Sequence, residues 1–171
     1  MQKNKFLNTQ TISTMALFIA LQIILSRFLS ISTYNVKIGF SFVPIFMCAI
    51  LLGPVKTGIV GALADIIGAN LFPIGTYFPG FTFTSFLMGV TWGIFVHKKQ
   101  KFPQLAMAIL VNQLLFSLVL NTIWIHILYG SPIKALLITR ITQVLVMILV
   151  EFVVTLSMVK YLKPYAMKFQ A

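Results

Sequence analysis

Three ionisable residues stand inside long apolar runs: Asp65, Arg140 and Glu151. Placing such a group in lipid costs several kcal/mol, on the order of +3 by insertion scales, so each marks a functional candidate. Counted along helices at 1.5 Å per residue, Asp65 and Arg140 both lie roughly 10–12 Å below the same membrane face. Equal depth permits an ion pair, which would fix helix packing. Packing is weighed for Asp65 at least as heavily as ligand contact, and for Arg140 an anionic ligand is the favoured partner. Glu151 follows Arg140 by eleven residues, about 20° around a helix and roughly 16 Å along it. It therefore shares the face of Arg140 but lies deeper, where Asn112 and Gln113 are expected to tie it into a structural network. Asn121, Thr122 and Trp124 fall close in depth to Arg140. Amide and aromatic groups mixed in this way suit a flat heteroaromatic ligand, with Tyr129 read as an interfacial aromatic.

Other chemistries lack their residues. The sequence has no G-x-x-x-x-G-K-[ST] run and so no phosphate-cradling loop. His97 and His126 are too far apart for a metal-ligand spacing, and Cys48 is the single cysteine. No paired carboxylates or nucleophile–base pattern emerges, so neither an enzyme nor a cofactor is expected.

The elements that carry these groups follow from composition. Of 171 residues, 59% are apolar and 9% are charged, with 13 Lys or Arg against 2 Asp or Glu. A soluble domain has about 25% charged residues, and disorder requires low hydrophobicity. Mean hydropathy of +0.99 agrees, leaving an integral membrane protein of one domain over 1–171. The net charge of +11 does not point to nucleic acid, because the basic residues are scattered between apolar runs. Such scattering fits a chain that orients itself in lipid with lysine.

Six transmembrane helices are expected, at about 9–29, 39–53, 55–72, 81–97, 103–129 and 132–161, on a requirement of about 20 apolar residues per span. Gly53-Pro54, Phe72-Pro73-Ile74-Gly75, Gly130-Ser131-Pro132 and the run from His97 to Lys101 separate them. The first segment has no A-x-A-like cleavage site and reads as retained. With both termini cytoplasmic, Lys3, Lys5, Lys56, Lys98, Lys99, Lys101, Lys160, Lys163 and Lys168 lie inside, against Arg27, Lys37 and Lys134 outside. That bias orients the chain.

The stretch Lys37-Ile38-Gly39-Phe40 to Pro44, then Leu52-Gly53-Pro54, Gly61-Ala62-Leu63-Ala64-Asp65 and Phe72-Pro73-Ile74-Gly75-Thr76-Tyr77-Phe78-Pro79-Gly80-Phe81-Thr82 carries a resemblance. The chain resembles the folate-specific substrate-binding (S) component of energy-coupling factor transporters, over nearly its whole length. The resemblance implies a six-helix vitamin-binding protein of the bacterial plasma membrane. Its partners would be a transmembrane scaffold subunit and two cytoplasmic ATPases, which supply the missing nucleotide motif. The site would lie in the outer half of the fourth to sixth helices, capped by the outer loops.

Folate wants flat walls, which Tyr34, Phe78, Phe81 and Trp124 offer. Its pterin edge wants donors and acceptors, from Asn121, Thr82, Thr84 or Asp65. Its carboxylates favour Arg27 or Arg140. Ala16 and Ala20, one turn apart on the first helix, would form the family's docking surface for the scaffold; small-xxx-small pairs let helices approach closely in lipid. An S component for another vitamin, a small channel and an intramembrane enzyme stay open as alternatives.

Overall fold

A computed structural model describes residues 8–32 and 37–170, with side chains placed from 8 to 30 and from 38 to 161. Tyr34 lies outside the described residues. Among these residues the order is α1 (Thr9–Arg27), β1 (Ser30–Ser32), β2 (Lys37–Gly39), α2 (Phe42–Leu52), α3 (Pro54–Leu71), α4 (Pro79–Val96), α5 (Phe102–Tyr129) and α6 (Ile133–Gln170). The six expected helices are all present, each within a few residues of its expected bounds at the described ends. The sixth runs on past its expected end.

Proline sets several of the starts. Pro54, Pro79 and Pro103 occupy the first turns of α3, α4 and α5, where the missing N–H has no intrahelical partner to lose. Gly53 joins α2 to α3 with φ of 80°, and Gly130 closes α5 with φ of 64°, backbone conformations open to glycine at little cost. His97 Nδ1 donates to the carbonyls of Ile50 and Ala49 at 3.0 and 3.2 Å, so the residue expected in a basic loop also caps the end of α2.

Four helices, α1, α4, α5 and α6, are long and apolar enough to cross a membrane. The eleven residues of α2 reach about 16 Å at 1.5 Å per residue, short of the ~30 Å hydrocarbon core. The eighteen residues of α3 have the length, but their apolar run is interrupted by Lys56, Thr57 and Asp65. Leu17, Ile94, Ile138, Leu145, Leu149 and Val153 are all more than half exposed, an apolar exterior that suits lipid rather than water.

Two features were not foreseen. The segment between α1 and α2 holds a short antiparallel hairpin, with Ile31 opposite Ile38. Within α5, Val111–Leu120 winds as a π-helix, a rare form that concentrates at functional sites. The closest helix contact joins α3 to α4 through glycine. A Cβ at Gly93 would sit 2.2 Å from Pro54 Cα, and one at Gly89 would sit 2.5 Å from the Thr57 carbonyl. Phe46, Ile50, Val60, Trp92, Val96, Leu105 and Ile109 fill the core toward the His97 end. The opposite end, under the hairpin, is hollow.

Candidate functional site

The hollow is a cavity of about 700 Å³ lined by all six helices and by the α3–α4 connection. Its volume lies in the range of pockets that enclose a drug-sized molecule. The walls are Phe42, Ile45, Phe78, Phe81, Met88 and Trp92; polar groups enter at intervals from every side.

The mouth is built by α1, α3, α4 and the connection. Arg27 ends α1 and lies within Coulombic reach of Asp65. Asp65 Oδ2 accepts the Thr82 hydroxyl at 2.7 Å. With its proton committed there, Thr82 can only accept from Tyr77 Oη, 3.1 Å away. The ion pair that equal depth permits between Asp65 and Arg140 does not form: Asp65 is held by Thr82, and Arg140 Nη2 donates to the Ser117 carbonyl at 2.7 Å. The two side chains leave their helices toward different neighbours.

Farther down, Arg140 is 4% exposed and lines the cavity. The carbonyl it binds belongs to the π-helical turn of α5, which ties that segment to α6. Below it the cavity reaches Asn112, Gln113 and Glu151. Gln113 Nε2 donates to Glu151 Oε1 at 2.6 Å, the network expected from depth, whereas both amide atoms of Asn112 are buried without a hydrogen-bond partner.

Of the ten residues assigned to substrate, Arg27, Asp65, Phe78, Phe81, Thr84, Asn121 and Arg140 line the cavity. Two stand behind its wall. Thr82 holds Asp65, and Trp124 Nε1 donates to Thr84 Oγ1 at 3.0 Å while its ring packs on Phe78. Thr84 in turn donates to the Gly80 carbonyl at 3.0 Å, so its proton is not available to a ligand edge. The tenth, Tyr34, is the one beyond the described residues.

The cavity is larger than the outer-half site of the last three helices that the resemblance implies: α1, α2 and α3 also face it, and it continues down to Glu151. Gln22, Tyr77, Asn112, Gln113, Gln143 and Glu151 join the lining without having been assigned to substrate. Their signal was visible: each amide or carboxyl interrupts an apolar helix, where a polar group needs a partner. Ala16 and Ala20 are exposed on the far side of α1, away from the cavity.

Residues 10–159 match the family model described as "ECF transporter, substrate-specific component". The folate transporter FolT of Clostridium novyi is 40% identical over 141 residues, 82% of each chain. FolT of Leuconostoc mesenteroides is 30% identical over 127 residues, 73% of this chain and 68% of its own. A crystal structure of FolT bound with folic acid superposes with a TM-score of 0.84 at 31% identity, covering 88% of this chain and 93% of that one.

Proposed function

The chain belongs to the substrate-specific components of ECF transporters, and from that premise we propose that it is a folate-binding transport subunit, not an enzyme. It takes up folate from outside the cell for a vitamin uptake system. The observation that carries the ligand is the cavity itself: a hollow of about 700 Å³ with aromatic walls and two arginines, in a chain similar to folate transporters and to one solved with folic acid. Rings stack on apolar and aromatic walls, and guanidinium groups are the natural partners of glutamate carboxylates.

The topology that serves this role has six crossings in one membrane domain, with both termini in the cytoplasm of a bacterial cell. The short α2 then lies buried among its neighbours, with Phe46, Cys48 and Ala49 fully covered. The lysines flanking α4 and α5 face the cytoplasm, and the hairpin and cavity mouth face out. Energy comes from a scaffold subunit with two ATPases, docked on the exposed Ala16–Ala20 face of α1.

Titration of the purified protein with folate, thiamine, riboflavin and biotin tests the ligand. Folate is expected to give the tightest response and the largest rise in thermal midpoint, because a ligand that binds only the folded state stabilises it. A tighter response to any of the other three would overturn the folate assignment.

A further inference from the structure

Five large apolar side chains stand exposed beside the cavity mouth, and none of them lines the cavity: Phe28, Leu29, Phe40, Leu71 and Phe72, between 43% and 66% exposed. They adjoin one another. Phe28 packs edge-on against Phe72 with ring centroids 5.2 Å apart, which joins the end of α1 to the end of α3. Leu29 and Phe40 flank the Ser30–Gly39 pair of the hairpin and so leave it side by side. All five stand at helix ends or in connections. The connection at the opposite end of α4 is polar instead, with Lys98, Lys99 and Lys101 exposed. A contiguous apolar patch of this kind marks a contact surface.

Helix length identifies what is contacted. Lys98 and Lys99 mark one edge of the hydrocarbon layer, where charged groups leave it. A layer of ~30 Å takes about 20 residues at 1.5 Å each, which puts the far edge near position 78, at the first turn of α4. Tilt lowers the height gained per residue and sets the connection deeper still. Helices α1 and α3 have 19 and 18 residues, about 28 and 27 Å of length, so neither lifts its last side chains clear of the layer. The patch also continues a surface suited to lipid. Leu17, Leu21, Ile24 and Phe28 fall on one face of α1, and all four are exposed.

Resting on the membrane-spanning reading above, we propose that these five side chains form a collar immersed in the outer phospholipid leaflet, so that the cavity opens within the headgroup layer and not above it. Aromatic rings are favoured at that depth, and the leucines meet the upper acyl chains. The collar holds the α1–α3 side of the mouth at a fixed level in the membrane. A soluble ligand then crosses hydrated headgroups to enter.

The test reads depth in phospholipid vesicles from nitroxide labels on single cysteines of the purified full chain. Cys48 is fully buried and does not take the label. Labels at Leu29→Cys and Leu71→Cys should collide with dissolved oxygen several-fold more, relative to a water-soluble nickel chelate, than the label at Lys99→Cys does. Leu149→Cys on the exposed apolar face of α6 supplies the value for hydrocarbon. Either collar position decides the matter if the other variant fails to fold. Collar labels that match Lys99→Cys would overturn the proposal and leave the patch for a protein partner. A Leu149→Cys label that itself matches Lys99→Cys would instead overturn the membrane-spanning reading, and the collar with it.

Discussion

At the scale of single residues, the cavity uses charge sparingly. The only two acidic residues in the chain, Asp65 and Glu151, both line it, and so do both arginines. Arg140 serves two ends at once: one nitrogen holds the Ser117 carbonyl while the side chain borders the space where an anion would sit. Arg140→Ala is therefore expected to weaken folate binding by about 1–3 kcal/mol, the cost of stranding a buried charge-assisted partner. Arg140→Lys should restore little of it, since one ammonium cannot reproduce the planar fork of guanidinium donors. Calorimetric titration of both variants measures this, and an unchanged dissociation constant in Arg140→Ala would make the arginine a helix tie and nothing more. Equal depth permits Asp65 to pair with Arg140, but its carboxylate accepts from Thr82 instead. Asp65→Asn keeps an oxygen that can accept the Thr82 hydroxyl, so its folded yield should fall less than that of Asp65→Ala. Fluorescence-detected size exclusion compares the two.

Elements explain how the hollow stays open while the rest of the bundle closes. The α3–α4 pair packs backbone to backbone through glycine, which brings Thr84, Ser85 and Asp65 to one side of the cavity. Gly93→Ala would drive a methyl into Pro54, and overpacking of this kind typically costs about 1–3 kcal/mol. A lowered thermal midpoint in detergent is the expected result, and an unchanged midpoint would mean that the helices part without penalty. Between α3 and α4 the connection is held to the mouth by the Tyr77–Thr82–Asp65 chain of hydrogen bonds, although Leu71 to Tyr77 are themselves exposed. This segment is expected to act as a gate over bound ligand. Amide exchange at Ile74–Phe78 should slow when folate is added, and equal exchange with and without it would leave the segment an ordinary connection.

For the molecule as a whole, the question is which surface meets which surroundings. The cavity faces inward from all six helices, and Ala16 and Ala20 face outward on α1. The cavity and the alanine face are thus on separate sides of one helix. Replacing both alanines with Trp should abolish copurification with the scaffold and leave folate affinity intact. Loss of folate binding in that variant would show that the alanines serve the protein's own bundle. Orientation is tested by single cysteines, a clean experiment because Cys48 is fully buried. Lys99→Cys should react with a membrane-impermeant thiol reagent only in inverted vesicles, and Thr76→Cys only in intact cells. The reverse pattern would turn the molecule over.

The sequence by itself determined the apolar, membrane-type composition, the helix boundaries and the position of each polar group along its helix. These depend on local quantities: runs of apolar side chains, proline and glycine at the breaks, and a fixed rise per residue. Depth was enough to find the Gln113–Glu151 contact and to put Asp65, Asn121 and Arg140 at similar levels along their helices, where all three line one cavity. It was not enough to pair them. Which side chain meets which depends on the rotation of each helix about its axis and on the neighbour it touches, neither of which a single helix encodes. Only the tertiary packing moved Asp65 from Arg140 to Thr82, set Trp124 behind Thr84, and opened the cavity to α1, α2 and α3. Glu151 shows the same division: its sequence setting marked it as a costly buried group, and only the assembled helices put it at the cavity wall with one oxygen held by Gln113.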